Sequence, residues 1–312
     1  MDVVLMLLGF GNLVVGGDFL VRASVALSLK LNVSKMVIGL TVVSFATSLP
    51  ELLVSLNAAL NGSPSIAINN VVGSNIANIG LVLGITALIG TIYVDKTFYR
   101  FHWPVLMLFS MLFYYFLSND NQLSAVEGAI LFTGLIIFII LVLRKSNGSE
   151  PDDSIDELTV ISNFKIGIWL LIGAIALYFG SDWLVKGAVV IAQEIGVSEA
   201  VISVSIIAVG TSVPELAASV MAIVRNEKAI SLGNLIGSNI FNIGSVLGLT
   251  AMIKPIIVED PLIISRDLIW MLVFAAVLLP LALLLKRHEI KKTEGFTLVF
   301  IYGLFLYLVF TY

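Results

Sequence analysis

Two glutamates stand where a carboxylate is most costly. Glu51 ends the run Ala46-Thr47-Ser48-Leu49-Pro50-Glu51 and Glu215 ends Gly210-Thr211-Ser212-Val213-Pro214-Glu215, each inside an otherwise apolar stretch. At the middle of a bilayer a carboxylate costs at least ~2.5–3.5 kcal/mol, so a glutamate there marks a functional site by default. A purely structural acid would pair with a buried Lys or Arg, and neither stretch carries one near its centre. Each acid also follows a proline. Proline removes a backbone donor and clashes with the carbonyl four residues earlier, here that of Ala46 or Gly210. Carbonyls freed at membrane depth are tolerated where they line a cavity or hold an ion. One such proline reads as a packing kink; two, each directly before a glutamate, read as a built site.

The neighbouring polar residues all bring oxygen. Thr47 and Thr211 precede the glutamates by four residues, a spacing that shares a helix face. Ser74/Asn78 and Ser238/Asn242 are further i, i+4 pairs. An isolated pair of this kind would be hydrogen-bond glue between helices, worth about 0.6 kcal/mol. Four segments converging with two carboxylates, and with no His or Cys among them, suit a hard cation such as Na⁺ or Ca²⁺ rather than zinc or copper. Glycines at 73, 80 and 84, and again at 237, 244 and 248, give small-residue spacing that lets the helices near 66–91 and 229–253 pack closely.

The elements that must position these residues are membrane spans. Hydrophobic residues make up 59% of the 312-residue chain and charged ones 12%, against about 45–50% and 25% in a soluble domain. The apolar residues fall in blocks long enough to cross ~30 Å of hydrocarbon. Spans are expected near 3–28, 37–60, 66–91, 103–118, 125–143, 165–191, 200–224, 229–253, 267–285 and 295–311. The first is too long for a signal h-region and lacks a basic leader, so it reads as a retained helix. A net charge of −4 with no basic stripe argues against nucleic acid. With no cysteine, disulfides and thiolate sites are excluded. Ten spans place Lys186, Lys254 and Arg266 on one face and the other fourteen of 17 Lys and Arg residues on the opposite one. Basic loops stay cytoplasmic, so both termini are expected outside.

The chain repeats itself. Residues 16–55 align without a gap on 180–219, an offset of 164 (180 minus 16). The same offset carries Asn70-Val-Val-Gly-Ser-Asn-Ile-Ala-Asn-Ile-Gly80 onto Asn234-Leu-Ile-Gly-Ser-Asn-Ile-Phe-Asn-Ile-Gly244. Five spans per copy is an odd number, so the second copy, 165–312, enters the membrane from the side opposite to the first, 1–145. Inverted repeats of this kind place a transport site at mid-bilayer where they meet. Between them 146–164 is polar and acidic and reads as a cytoplasmic linker. Its run of Glu150, Asp152, Asp153, Asp156 and Glu157 lacks EF-hand spacing. Asp18/Arg22 and Asp182/Lys186 are i, i+4 pairs that neutralise each helix near an interface.

The paired G-T-S-x-P-E and G-S-N-x-x-N-I motifs resemble the cation/calcium exchanger superfamily, over nearly the whole chain. The likeness is strongest to compact prokaryotic sodium/calcium exchangers, and the Gly-Asn-x-x-Glu signature of the proton/calcium branch is missing. The resemblance implies a multi-pass protein of the inner (cytoplasmic) membrane in which two peripheral helices slide against an eight-helix core. It implies a central calcium site on Glu51 and Glu215, with oxygens around Thr47 and Thr211 and, one turn earlier, Ser44 and Ala208. Ser48, Ser74, Asn78, Ser212, Ser238 and Asn242 would line flanking sodium positions. This chain departs at Ala46, where the motif has Gly as in Gly210, and at Asn69, opposite Gly233. It departs again at Asn242, which is Asp in several exchangers, leaving two formal charges in the site.

The expected activity is therefore antiport of Na⁺ against Ca²⁺, with those ions and the lipid bilayer as partners, no resident cofactor and no obligatory protein partner. The same fold could run H⁺/Ca²⁺ or Na⁺/H⁺ exchange, since glutamate titrates. A channel fits poorly with broken inverted repeats. An intramembrane enzyme would need zinc-binding histidines or a serine with a buried base, and Ser48 and Ser212 have neither.

Overall fold

The computed structural model describes residues 2–63, 65–146, 161–196, 208–258, 260–283 and 288–311. In chain order these form α1 (Asp2–Leu31), a broken pair α2 (Lys35–Thr47) and α3 (Leu49–Leu60), and α4 (Ile66–Ile89). Then follow β1 (Ile92–Tyr93), α5 (Phe98–Asp120), β2 (Gln122–Leu123) and α6 (Ala125–Ser146). The second half runs α7 (Asn163–Glu194), α8 (Val213–Val224), α9 (Lys228–Ile253), β3 (Ile256–Ile257), α10 (Ile263–Ala282), β4 (Glu289–Ile290) and α11 (Lys292–Val309). Among the described residues eight helices are long and apolar enough to cross a membrane, and a ninth if α2 and α3 count as one. The chain is a multi-pass integral membrane protein. The expected span at 200–224 is described only from Ala208, as one helical turn to Gly210 and then α8. The acidic run at 150–157 lies outside the described residues.

Local chemistry sets the ends. Ser34 caps α2 by accepting from the Val37 amide at 3.4 Å. Asn121 ends α5 in the left-handed region at φ 57°, which asparagine tolerates far better than branched residues. Two short antiparallel pairings tie the halves together: Ile92 and Tyr93 of β1 face Ile290 and Glu289 of β4, and Gln122 and Leu123 of β2 face Ile257 and Ile256 of β3. The pairings sit at opposite ends of α5, which spans about 34 Å at 1.5 Å per residue. Each therefore marks one membrane face.

Burial sorts the helices into centre and rim. In the most apolar windows of α9 and α4, 83% and 72% of residues are buried, against 22% in α7. At the rim α1 and α7 pack against each other through glycines. A Cβ on Gly9 would stand 2.8 Å from the Gly180 carbonyl oxygen, and one on Gly16 3.0 Å from that of Gly173. Gly9 and Gly16 align with Gly173 and Gly180 at the repeat offset, so the two contacts are one contact exchanged between halves.

Glycine also admits close approach around α4 and α9, but not of those helices to each other. Gly80 and Gly84 face α10 and α11, through Phe274, Tyr302 and Val299. Gly244 and Gly248 face α5 and α6, while Gly237 faces α2. The rim helices are thus pressed onto the two central ones. Asp18 pairs with Arg22 at 2.9 Å, as its spacing suggests, and also with Arg225 beyond α8, a partner that spacing does not reveal. Asp182 pairs with Lys186 at 2.8 Å. His102 is buried within α5 against Phe101.

Candidate cation site

The two proline–glutamate segments adopt the same broken geometry. The helix stops at Ser48 (φ −85°, ψ 3°) and restarts at Leu49; in the other half Ser212 (φ −88°, ψ 2°) precedes the restart at Val213. Pro50 and Pro214 occupy the first turn of the new helices, where a missing N–H is harmless. The axis bends by 42° between α2 and α3. Glu51 and Glu215 each fall in the first turn of a restarted helix, where the exposed amides and the dipole favour negative charge. Both are fully buried.

This break corrects one expectation. Thr47 and Glu51 do not share the face of one continuous helix, because the turn at Ser48 interrupts it. Thr47 reaches across to the other half: its hydroxyl lies 3.2 Å from that of Ser238 and 3.1 Å from Oδ1 of Asn234. Thr47 and Ser48 flank the carboxylate of Glu215. The exchanged contact joins the hydroxyls of Thr211 and Ser74 at 3.0 Å. Ser44 gives its hydroxyl to the carbonyls of Gly39 (2.8 Å) and Asn234 (3.0 Å), stitching α2 to α9. Of Ala208 only the backbone is described.

Asparagines that spacing did not single out hold the glutamate segments in place. Asn70 Nδ2 donates to Ser55 Oγ at 3.1 Å and to the Glu51 carbonyl at 3.4 Å. Asn234 repeats this with Ser219 at 3.1 Å and the Glu215 carbonyl at 3.5 Å. Between α4 and α9, Asn75 Nδ2 donates to the Asn239 carbonyl at 3.2 Å, and Asn242 Nδ2 donates to Asn75 Oδ1 at 3.1 Å. Asn70, Asn75, Asn234 and Asn239 all lie inside the repeated motif, so the repeat itself is the signal that could have found them. At Asn78–Leu83 and Asn242–Leu247 both central helices loosen into π-helical turns, a feature common at functional sites.

Most of the oxygens so assembled have no hydrogen-bond partner. Among the described residues these are both carboxylate oxygens of Glu51 and of Glu215, the hydroxyls of Ser48 and Ser212, and Oδ1 of Asn78 and of Asn242. Buried polar atoms are nearly always paired, so such a cluster calls for an explanation. Two carboxylates among hydroxyl and amide oxygens have the donor chemistry of a site for a hard cation. No group of three or more His, Cys, Asp or Glu side chains converges among the described residues, so nothing here resembles a transition-metal cluster.

Known proteins share this sequence and this fold. The family model described as sodium/calcium exchanger protein matches residues 1–144 and 165–311. A protein named as an antiporter, CaxA of Alkalimonas amylolytica, is 38% identical over 99% of this chain and 98% of its own. The sodium/calcium exchanger MaX1 of Methanosarcina acetivorans is 30% identical over 98% of this chain and 97% of its own. The sodium-calcium exchanger NCX_Mj, solved after soaking with Na⁺ and Ca²⁺, superposes with a TM-score of 0.81 at 32% identity, covering 97% of this chain and 96% of that one. Family and neighbours are transporters rather than enzymes, and this chain belongs to the sodium/calcium exchanger protein family.

Proposed function

We propose that this protein exchanges Na⁺ for Ca²⁺ across the membrane by alternating access at one mid-membrane site centred on Glu51 and Glu215. The observation that carries this reading is the cluster of unpartnered oxygens on those glutamates, Ser48, Ser212, Asn78 and Asn242, sealed from solvent and assembled from both halves of the chain. Thr47, Thr211, Ser74 and Ser238 complete the wall through the two exchanged hydroxyl contacts. Ser44 and the backbone at Ala208 belong to the same wall. The relatives' names favour the ion pair, and the all-oxygen donor set favours a hard cation.

The halves are read as inverted five-helix repeats, 1–145 and 165–312, with both termini outside and the linker in the cytoplasm. The exchanged Thr47–Ser238 and Thr211–Ser74 contacts and the exchanged glycine contacts of α1 and α7 support a twofold relation between them. The cell's inner membrane is the expected location.

The mechanism follows from charge. One Ca²⁺ or two Na⁺ balance the two carboxylates, so a loaded site presents no net charge as the access side changes. An empty site carries two buried charges, each costing several kcal/mol without a partner, and stays where it is. Only loaded forms then cross, and the two fluxes are coupled because each state is selected by the ion that stabilises it. The pair α1 and α7, packed on one another at the rim through exchanged glycine contacts, is the body that slides.

The test is ⁴⁵Ca²⁺ uptake into proteoliposomes loaded with Na⁺, compared with vesicles loaded with choline, at constant pH. Uptake that requires internal Na⁺ supports the proposal. Uptake driven by a pH gradient without Na⁺ moves the assignment to proton-coupled exchange on the same site, and no calcium flux under either gradient refutes the substrate.

A further inference from the structure

Away from the ion site, a groove runs along the membrane face between α5 and α6. It encloses about 600 Å³ and is walled almost wholly by carbon, with Leu108, Leu112, Val126, Gly134 and Leu141 along it and Phe101 at one end. Leu108 and Val126 are more than half exposed, so the groove opens onto lipid. From Val126 to Leu141 it runs about 22 Å at 1.5 Å per residue, enough for an acyl chain of one leaflet, about 15 Å deep.

The two ends of the groove differ in charge. At the Phe101 end Lys145 Nζ sits 5.0 Å over the Phe101 ring, and Arg144 and Arg100 are exposed beside it in sequence. Among the described residues neither arginine has a carboxylate partner. The acid closest to Arg100 in sequence, Asp95, is occupied in capping the Phe98 amide at 2.8 Å. At the opposite end stand Asp120 and Glu127, the latter holding the amide of Ser124 at 2.8 Å. By the matched turns at Phe98–His102 and Ile263–Asp267, and at Ser124–Glu127 and Lys291–Glu294, the second-half counterparts of Arg100, Arg144 and Lys145 are Ser265, Thr311 and Tyr312, so the three cations belong to one half only.

We propose that this groove is a binding site for an anionic phospholipid, its acyl chain lying between α5 and α6 and its headgroup phosphate held by Arg100, Arg144 and Lys145. Basic residues at a membrane surface each attract anionic headgroups, and basic pockets between spanning helices select them. A carbon-lined channel that ends in three cations and begins among carboxylates accepts such a lipid in one orientation only.

The test is retention of lipid by the purified protein after reconstitution in equal amounts of phosphatidylglycerol and phosphatidylcholine with the same chains, read by native mass spectrometry. The wild type retains phosphatidylglycerol preferentially. The exposed triple variant R100A/R144A/K145A lowers that preference by roughly a hundredfold, from about 1 kcal/mol per cation. Leu108→Trp, which fills the groove from its open side, lowers retention with the cations intact. K30A/K165A/K292A, which removes equal charge elsewhere on the same face, leaves it unchanged. Equal retention of both lipids by the wild type would overturn the proposal. So would a control triple that loses lipid as fully as the first, or a Leu108→Trp variant that keeps it.

Discussion

The tightest close approach in the site lies at Gly237, and adding one methyl there tests whether the geometry matters. A Cβ on Gly237 would stand 2.2 Å from Ser44 Oγ and 2.6 Å from the Leu40 carbonyl oxygen. The serine hydroxyl can rotate away, but the Leu40 carbonyl is backbone. To reach ordinary contact near 3.4 Å, α2 must retreat from α9 by roughly 0.8 Å. Overpacking of this kind costs about 1–3 kcal/mol. The retreat also stretches the Thr47–Ser238 contact of 3.2 Å and the Thr47–Asn234 bond of 3.1 Å past useful length, each worth about 0.5–1.5 kcal/mol. Gly237→Ala should therefore lower the melting temperature by several degrees, at about 2–4 °C per kcal/mol, and weaken Ca²⁺ binding by about tenfold. Gly11→Ala is the control: its Cβ meets nothing within 4 Å on an exposed face, and alanine is favoured over glycine in a helix by about 1 kcal/mol. Melting followed by size exclusion, with equilibrium ⁴⁵Ca²⁺ binding on both proteins, reads the two effects. If Gly237→Ala melts and binds like Gly11→Ala, the reasoning about α2 and α9 is wrong.

Other substitutions probe separate parts of the account. Asn75→Ala removes one donor from the Asn239 carbonyl and the acceptor of Asn242 Nδ2; it should cost about 1–3 kcal/mol and weaken cation binding, visible in melting and isotherms together. Gly16→Leu drives a side chain into the α7 backbone at 2.8 Å from Leu177 N, so it should slow exchange severalfold while Ca²⁺ affinity changes little. Normal flux from that variant would contradict α1 and α7 moving as one body. Asp18→Asn removes pairs whose side chains are 22–43% exposed, and pairs at such sites are worth at most about 1 kcal/mol. Its melting temperature should shift by no more than a few degrees.

Much of this was legible before any coordinates. Spans follow from the length of the apolar runs, and the proline before each glutamate located both helix breaks. The offset of 164 matched Thr47 with Thr211 and Ser74 with Ser238 as equivalent positions. What the sequence could not show is that equivalent residues cross over. Spacing put Thr47 beside Glu51 in its own helix, whereas the break at Ser48 turns it toward Ser238 and Glu215. The π-helical turns at Asn78 and Asn242 leave no periodic trace, because one extra residue per turn changes no composition and both helices are buried on most sides. Asn75 stood in plain view in the motif, but its role depends on which carbonyl faces it across the α4–α9 interface. The same holds for Arg225 and Asp18, which lie far apart in the chain.

The most direct test of the central claim is equilibrium ⁴⁵Ca²⁺ binding to the purified protein, with Na⁺ as competitor, in the wild type, Glu51→Gln and Glu215→Gln. A single shared site predicts one Ca²⁺ per chain, displaced completely by Na⁺. Loss of either carboxylate removes one of two balancing charges, a change of about 3–5 kcal/mol, so each variant should bind at least a hundredfold more weakly. Calcium bound at full strength by both variants, or calcium that Na⁺ does not displace, would contradict the account.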